Sequence, residues 1–161
     1  MLDISRLNTG RFEIFKEKTD LTKLLSNLAK ENESQILAAH STLVLKLENV
    51  ELEVDPLRIE QVVNNLFSNA IKYAPSSTIE IGLKENVNSV MMWVKDTGPG
   101  ISKEFQQKIF NRYEREKSLV AVEGLGLGLY ISRQIIEAHG GEITLKSGPG
   151  IGATFYIIFN I

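Results

Sequence analysis

A predicted helix that follows Asp55 carries four polar side chains along one stripe. At about 100° per residue, Asn65, Asn69 and Lys72 project toward the same side, and Tyr73 lies beside them. An amide oxygen can bind a hard cation, an ammonium group can bind a phosphate, and a tyrosine ring can lie against a flat base. The stripe is therefore either one wall of a binding site or an ordinary solvated face, and this helix alone leaves both open.

The opposite side of the same helix has the spacing of a buried face. Asp55 followed by Pro56 predicts an N-cap and a first helical residue, and Ala74-Pro75 predicts the end of the helix. The positions expected to be buried are Ile59, Val62, Val63, Leu66, Phe67 and Ala70.

A glycine-containing loop, Asp96-Thr97-Gly98-Pro99-Gly100-Ile101, comes at the end of a predicted strand. Gly98 and Gly100 would let the backbone turn and approach a ligand closely. Asp96 can accept a hydrogen bond from an exocyclic amine, which adenine carries. Taken alone, the segment is typical of an ordinary turn.

A second glycine-rich segment, Gly124-Leu125-Gly126-Leu127-Gly128-Leu129, leads directly into a predicted helix. Backbone N–H groups at the start of a helix, with glycines permitting close approach, make an anion site suited to phosphates. The segment lacks the lysine of a P-loop, and no strand immediately precedes it as in a dinucleotide fingerprint. Both of those nucleotide motifs are therefore excluded.

The segment Phe110-Asn111-Arg112-Tyr113-Glu114-Arg115 places two guanidinium groups beside two aromatic rings. Arg112 and Arg115 have the charge that suits a terminal phosphate, and the rings would anchor the segment that follows. That segment, 112–123, has no clear period, and we expect a mobile loop. The alternative is a surface helix end with two solvated arginines.

The pattern of apolar residues predicts a two-layer α/β sandwich. We expect a mixed, mostly antiparallel sheet of about five strands with three main helices on one face. The predicted helices are 21–38 with Asp20 as N-cap, 56–73, a short one at 102–110, and one from the glycine run to His139-Gly140-Gly141 with Leu127, Ile131, Ile135 and Ala138 buried. The predicted strands are 43–47 and 51–54 as a hairpin, 78–84, 89–95, 142–146 and 153–159.

The composition of the chain excludes several kinds of partner and site. The chain has 161 residues and a formal charge of −2, so it has no strong basic field for nucleic acid. It contains no cysteine and two histidines, which excludes disulfides and thiolate metal sites and argues against zinc. No apolar run is long enough to span a membrane. We expect a soluble domain without membrane contact of its own, whose parent protein could still be anchored in a membrane.

Taken in order, these motifs resemble the catalytic, ATP-binding domain of bacterial sensor histidine kinases. These kinases share an ATPase superfamily with gyrase, Hsp90 and MutL. The resemblance covers essentially the whole chain: residues 1–10 resemble the end of the dimerisation and phosphoacceptor helix, and 11–161 the catalytic domain. It implies that ATP and Mg²⁺ are the cofactors and that 112–123 belongs to an ATP lid. It also implies a monomeric, cytoplasmic domain whose parent protein is a homodimer that could be anchored in the inner or plasma membrane.

The resemblance also implies roles for individual residues. Asn69 would hold Mg²⁺ with help from Asn65, Lys72 would reach a phosphate, Tyr73 would lie against adenine, and Asp96 would bind the adenine amine. Asn65, Lys72, Arg112 and Arg115 would form the catalytic group, with both arginines near the γ-phosphate. The remaining nucleotide contacts would come from Gly98, Gly100, Ile101, Phe110, Gly124, Leu125, Gly126, Leu127 and Gly128.

Asn65 distinguishes phosphate transfer from hydrolysis. The related hydrolysing ATPases carry a glutamate at the matching position, and an amide cannot act as a general base. The resemblance therefore implies transfer of the γ-phosphate to a histidine on an upstream helical domain, with a response regulator downstream. The acceptor motif itself is absent, since His40 and His139 both have the surroundings of structural histidines. Tyr113 and Leu125 are smaller departures from the family pattern.

Four alternatives remain open from the sequence. The chain could be an ATP-hydrolysing member of the superfamily, against which Asn65 argues. It could be a serine kinase of the anti-sigma type, which would not begin with the end of a dimerisation helix. It could be a regulatory module that binds nucleotide without transfer, which the departure at Leu125 keeps open. A purely structural domain is least favoured, since the polar stripe would then have no use.

Overall fold

A five-stranded sheet and the helices packed on one of its faces form the body of the chain. The computed structural model describes residues 13–106, 108–110, 128–148 and 150–161. The strands are β1 (Glu17–Asp20), β2 (Thr42–Leu47), β3 (Glu51–Val54), β4 (Thr78–Glu85), β5 (Ser89–Asp96), β6 (Glu142–Gly148) and β7 (Gly152–Asn160). The helices are α1 (Leu21–Glu31), α2 (Glu33–Ala38), α3 (Pro56–Tyr73), α4 (Lys103–Gln106) and α5 (Gly128–Ala138).

The strand order in the main sheet is β2-β4-β5-β7-β6, and β1 and β3 form a separate two-stranded sheet. Only the β2–β4 pair in the main sheet is parallel; the other three pairs are antiparallel. This confirms the predicted mixed, mostly antiparallel sheet of five strands and the two-layer α/β class.

Alternation along the strands divides the sheet into a covered and a solvated face. On β4, for example, Ile79, Ile81 and Leu83 are buried and join one core with apolar residues of α1, α3 and α5. The α3 face is the one predicted, because all six of the expected positions are buried: Ile59, Val62, Val63, Leu66, Phe67 and Ala70. The polar stripe of α3 must therefore face away from this core.

Three predicted helix ends are confirmed by their capping contacts. The Asp20 carboxylate accepts a hydrogen bond from the backbone N–H of Lys23 at 3.0 Å, and Asp55 does the same for Arg58 at 3.4 Å. At the end of α5, Gly140 has φ +75°, and the next residue donates its N–H to the Ile136 carbonyl. These caps depend only on residues within a few positions of each helix end.

The predicted hairpin between 43–47 and 51–54 is wrong. β2 pairs in parallel with β4, placing Leu43 opposite Ile79, whereas β3 pairs antiparallel with β1. The two strands therefore belong to different sheets. The partner of β3 was missed because three of the four residues in Glu17–Asp20 are exposed, so β1 has little of the apolar character that marks a strand.

The predicted helix 21–38 is two helices, α1 and α2, separated at Asn32. The backbone N–H and the side-chain amide of Asn32 both donate to the Leu28 carbonyl, at 3.1 and 2.8 Å. The same side chain also donates to Asn64 on α3. An asparagine that bonds to nearby backbone in this way competes with the regular helical pattern.

Two predictions about the later helices need correction. The short helix 102–110 is limited to α4, followed by a turn at 108–110. On α5 the buried residues are Ser132, Ile135 and Ile136, whereas Ile131 and Ala138 are only half-buried. Because α5 packs against α3 as well as against β6, its buried face turns toward α3.

Some predictions lie outside the described residues. These are the helix end at 1–9, the loop at 112–123, and Leu127 on the predicted stripe of the last helix. None of the described helices combines the length and the apolar character that a membrane crossing requires.

Candidate functional site

The polar stripe of α3 has side-chain groups available to a ligand. Asn69 and Tyr73 are half-buried and Lys72 is exposed, so all three reach the surface. Within the described part of the chain, no hydrogen bond engages the Asn69 amide and no ion pair engages Lys72. A free amide oxygen and a free ammonium group are suitable contacts for a cation and a phosphate.

Asn65, one turn before Asn69, is held by α5. Its side-chain Nδ2 donates to Oγ of Ser132 at 3.0 Å. Gly128, the first residue of α5, lies so close that a Cβ there would be 2.4 Å from Oδ1 and 2.5 Å from Nδ2 of Asn65. The start of the helix that follows the glycine-rich segment therefore contacts the predicted metal-assisting amide directly.

Asp96 ends β5 with one carboxylate oxygen engaged. Its Oδ1 accepts the backbone N–H groups of Gly98 at 3.0 Å and of Ala153 at 3.3 Å. Burial raises the pKa of this carboxyl group, and the two N–H donors partly oppose the rise. No hydrogen bond from the described residues reaches Oδ2, so this oxygen is available to accept from a ligand.

Gly98 brings the loop after β5 against the end of α3. A Cβ at Gly98 would lie 2.4 Å from the Cβ of Ala74, the residue that caps α3. Since the Gly98 N–H also binds Asp96, this contact places Asp96 beside the Tyr73 end of the polar stripe. The predicted amine-binding and base-stacking residues are thus brought to the same end of α3.

The rest of this loop is attached to β6. Gly100 has φ +84°, and a Cβ there would lie 2.1 Å from the Gly148 carbonyl oxygen. The Ile101 N–H donates to Oγ of Ser147 at 2.8 Å, and Gln106 Nε2 donates to the Ile101 carbonyl at 2.7 Å. At Gly98 and Gly100, the space that glycine leaves is taken up by protein neighbours, so their contacts with a ligand stay a prediction.

Phe110 packs into the body of the domain. Its half-buried ring meets the ring of Phe155 edge-on, with centroids 6.2 Å apart and planes at 87°. The predicted site residues Arg112, Arg115, Gly124, Leu125, Gly126 and Leu127 lie outside the described residues.

Two serines were missed by the sequence analysis. Ser132 is only 1% exposed and binds Asn65, and Ser147 fixes Ile101 while donating to the Gly152 carbonyl at 2.8 Å. A signal for Ser132 was present, because it comes one helical turn after Gly128 and so lies on the same side of α5. No comparable pattern in the sequence points to Ser147.

Neither histidine takes part in the contacts given above for the described residues. His40 is exposed, has φ +58° and follows α2. His139 is buried: its Nε2 accepts the Asp55 N–H at 3.0 Å, so Nδ1 carries the proton and donates to the Ile135 carbonyl at 2.8 Å. Burial lowers the pKa of His139. Its contacts are those of a structural histidine.

Comparison with known proteins identifies the family. Residues 54–161 match the model of the "Histidine kinase-, DNA gyrase B-, and HSP90-like ATPase" family. The chain belongs to this family. The match begins just before α3 and includes the polar stripe, the loop after β5 and α5, which together form the candidate site.

Relatives within this ATPase family are sensor proteins. The chain is 30% identical over 167 residues to the sensor protein EvgS of Escherichia coli K12 and 33% identical over 162 residues to the sensor protein SrrB of Staphylococcus aureus NCTC 8325. Each alignment covers 98% of this chain but only 14% of EvgS and 28% of SrrB. The chain thus spans a minor part of these relatives.

Solved structures agree with this family assignment. The nucleotide-free catalytic domain of the histidine kinase ThkA superposes with a TM-score of 0.81 at 28% identity, covering 91% of this chain and 96% of that domain. ShkA, solved in full length with AMPPNP, has the same fold, with a TM-score of 0.85 at 24% identity and coverage of 98% of this chain and 34% of ShkA. As a member of the family, the chain is a histidine-kinase-type ATP-binding domain.

The described side chains fit a nucleotide and a hard cation. Among the described residues Oδ2 of Asp96 and the amide of Asn69 have no partner; the first suits an amine, and the second suits Mg²⁺, which prefers oxygen ligands. No three His, Cys, Asp or Glu side chains come together as a metal site within the described residues.

Proposed function

We propose that the chain binds Mg²⁺ and ATP and positions the γ-phosphate for transfer to a histidine on an upstream helical domain. The observation that carries the proposal is the arrangement of Asp96 and Asn65 at the two ends of one wall. Asp96 is joined through Gly98 to the last turn of α3, and Asn65 contacts the start of α5. Asn65 and Tyr73 are separated by about 12 Å along the helix axis.

The base would bind at the Asp96 end. The Asp96 oxygen that has no donor among the described residues would accept the exocyclic amine of adenine, and Tyr73 would lie against the ring. Gly98, Gly100 and Ile101 shape this end of the pocket, and Phe110 supports it through its contact with Phe155. A carboxylate favours adenine over guanine, because guanine offers a different edge at this position.

The phosphates would bind at the Asn65 end. Asn69 and Asn65 would hold Mg²⁺, which would supply positive charge to neutralise the phosphates, and Lys72 would contact a phosphate oxygen. The N–H groups of Gly124, Leu125, Gly126, Leu127 and Gly128 add donors at the start of α5, where the helix dipole also favours an anion. Arg112 and Arg115 approach the γ-phosphate. Catalysis then consists of positioning and charge stabilisation.

Transfer is favoured over hydrolysis because Asn65 is an amide. It cannot remove a proton from water, and its nitrogen is already engaged by Ser132. The phosphate acceptor would belong to the parent protein, a cytoplasmic or membrane-anchored homodimer. A response regulator would receive the phosphate next; one is seen with ThkA in a structure whose fold matches this chain at a TM-score of 0.79.

Phosphohistidine formation tests this function. The chain is mixed with γ-labelled ATP, Mg²⁺ and a separate fragment carrying the upstream helices. With the native chain, we expect acid-labile, alkali-stable label on the fragment. In Arg112→Ala and Arg115→Ala, we expect nucleotide binding to be retained and transfer to be lost. Label on serine, or release of free phosphate at the rate of a dedicated ATPase, would instead support one of the alternatives.

Asp96→Asn tests the adenine contact with an isosteric change. The asparagine oxygen can still accept the N–H groups of Gly98 and Ala153, so the loop should remain folded. The new NH₂ group would face the adenine amine, donor against donor. We expect ATP affinity to fall by at least about 10-fold, measured by calorimetry, with little change in thermal stability. Unchanged affinity would exclude Asp96 as the amine acceptor.

A further inference from the structure

Ser132 is a buried hydroxyl on an apolar helix face. It is 1% exposed, and Ile135 and Ile136, which follow it on α5, are fully buried. A hydroxyl in such surroundings destabilises the fold unless it is hydrogen-bonded. Ser132 meets this requirement by accepting Nδ2–H of Asn65 from the neighbouring helix.

The Asn65 amide is confined by two contacts from α5. Ser132 binds its nitrogen at 3.0 Å, and the Cα of Gly128, one turn earlier, lies against the amide, where a Cβ would be 2.8 Å from Cγ. The nitrogen is therefore engaged by protein. Oδ1 accepts no hydrogen bond from the described residues and is the atom left for a ligand.

We propose that Ser132 is a positioning residue that fixes the orientation of the Asn65 amide in the nucleotide site. With its nitrogen held by Ser132, Asn65 presents its oxygen to Mg²⁺ or to a water bound to Mg²⁺. If the amide turned over, it would present a donor, which repels a cation. This inference rests on the proposed function, because it assumes that Asn65 assists the metal.

Removal of the Ser132 hydroxyl should weaken only the part of ATP binding that depends on Mg²⁺. A hydroxyl that only fills the core would change stability and leave the dependence of ATP binding on Mg²⁺ unaltered. A hydroxyl that orients Asn65 would change that dependence. The chain offers a matched control in Ser41, which is 4% exposed and accepts the Ser77 N–H at 3.3 Å on the β2 side of the fold.

The experiment measures ATP affinity of this chain by calorimetry with Mg²⁺ and with EDTA, for the native protein and for Ser132→Ala, Ser41→Ala, Asn65→Ala and the Ser132→Ala/Asn65→Ala pair. The Mg²⁺ gain is the ratio of ATP affinity with Mg²⁺ to ATP affinity with EDTA. We expect this ratio to be about 3- to 10-fold smaller in Ser132→Ala than in the native protein, and unchanged in Ser41→Ala. The double variant should lose no more than Asn65→Ala alone, since Ser132 acts through Asn65. If Ser132→Ala does not fold, Ser132→Cys replaces it, because its thiol is a weak hydrogen-bonding group.

The outcomes separate this inference from the function on which it rests. An unaltered Mg²⁺ gain in the Ser132 variant, or additive losses in the double variant, would overturn the positioning role. An unaltered gain in Asn65→Ala would overturn the assignment of Asn65, and with it that of Ser132. Absence of ATP binding by the native chain would overturn the proposed function itself.

Discussion

Helix α5 is joined to α3 and its N-cap by a polar contact toward each end of α5, and the two contacts differ in what they leave available. At one end Asn65 binds Ser132 through its nitrogen, and its oxygen has no partner among the described residues. At the other end the Asp55 N–H binds His139, and both ring nitrogens of His139 are engaged. A polar pair that is fully satisfied can only hold the fold, whereas one with a free acceptor can also serve a ligand.

The Asp55–His139 contact forms the closed end, and the Asn65–Ser132 contact forms the open end. The closed end also holds the segment that precedes β1. The Asp55 carboxylate caps α3 through Arg58 and accepts the Phe15 N–H at 2.9 Å. His139 packs its ring edge-on against Phe159 with centroids 6.0 Å apart. Asp55 and His139 are 7% and 9% exposed, so solvent cannot replace a lost partner. Substitutions at the closed end should therefore affect stability, and those at the open end should affect binding.

The largest effect is expected for His139→Ala. It leaves the buried Asp55 N–H without an acceptor and creates a cavity beside Phe159. We expect the free energy of unfolding to fall by about 2–4 kcal/mol in urea denaturation, with ATP affinity unchanged in the folded protein. His40→Asn is the control, since asparagine tolerates the positive φ at this exposed position. A comparable loss of ATP affinity in His139→Ala would show that the closed end is part of the site.

A smaller effect on stability is expected for Gly128→Ala at the open end. The added Cβ would overlap the Asn65 amide and displace it from Ser132, which costs about 1–3 kcal/mol. We expect the Mg²⁺-dependent gain in ATP affinity to fall together with thermal stability. In an Asn65→Ala background the space opens, so the same change should cost less stability. An equal cost in both backgrounds would show that the collision is not with Asn65.

The smallest effect is a pH dependence confined to the closed end. Nε2 of His139 accepts a hydrogen bond only when the ring is neutral, and burial lowers its pKa below the usual value near 6.5. As the pH falls below about 6.5, the unfolded chain binds a proton that the folded chain does not. The free energy of unfolding should therefore decrease as the pH is lowered, by at most about 1.4 kcal/mol per pH unit, and should be constant above the pKa of His139 in the unfolded chain. The free energy of unfolding, measured by denaturation at several pH values, should not show this dependence in His139→Ala. If the same dependence persists in that variant, it comes from other groups.

The two ends also differ in how far the sequence predicted them. Two sequence patterns indicated a site: the spacing of Asn65, Asn69 and Lys72 on α3, and the glycine-rich segment 124–128 that leads into α5. Each pattern lies within one short stretch of sequence. The contact between Asn65 and Ser132 was not predicted, since it depends on how α5 turns toward α3. The sequence pattern placed Ile131 and Ala138 in the core, where the structure buries Ser132 and Ile136 instead.

Strand pairing shows the same limit. Alternation located β2 and β3 within one residue of their ends, but their partners are β4 and β1 rather than each other. Another long-range feature is Gly82, where a Cβ would lie 1.9 Å from the ring of Trp93 on the adjacent strand. The Trp93 ring instead crosses this position and donates to Glu80 at 2.7 Å, which lowers the pKa of Glu80. Which residues face each other depends on register, and register is decided between elements.

The sequence by itself determined the helix caps at Asp20, Asp55 and Gly140, the buried face of α3 and the family motifs, because each depends on residues a few positions apart. The tertiary structure decided the sheet order and the neighbours of Asn65. Those depend on contacts between segments that are distant in sequence, whose energies no local pattern contains. Asn65, whose oxygen has no partner among the described residues, is a result of both: its position follows from helical spacing, and its amide orientation in the structure follows from the contact with Ser132.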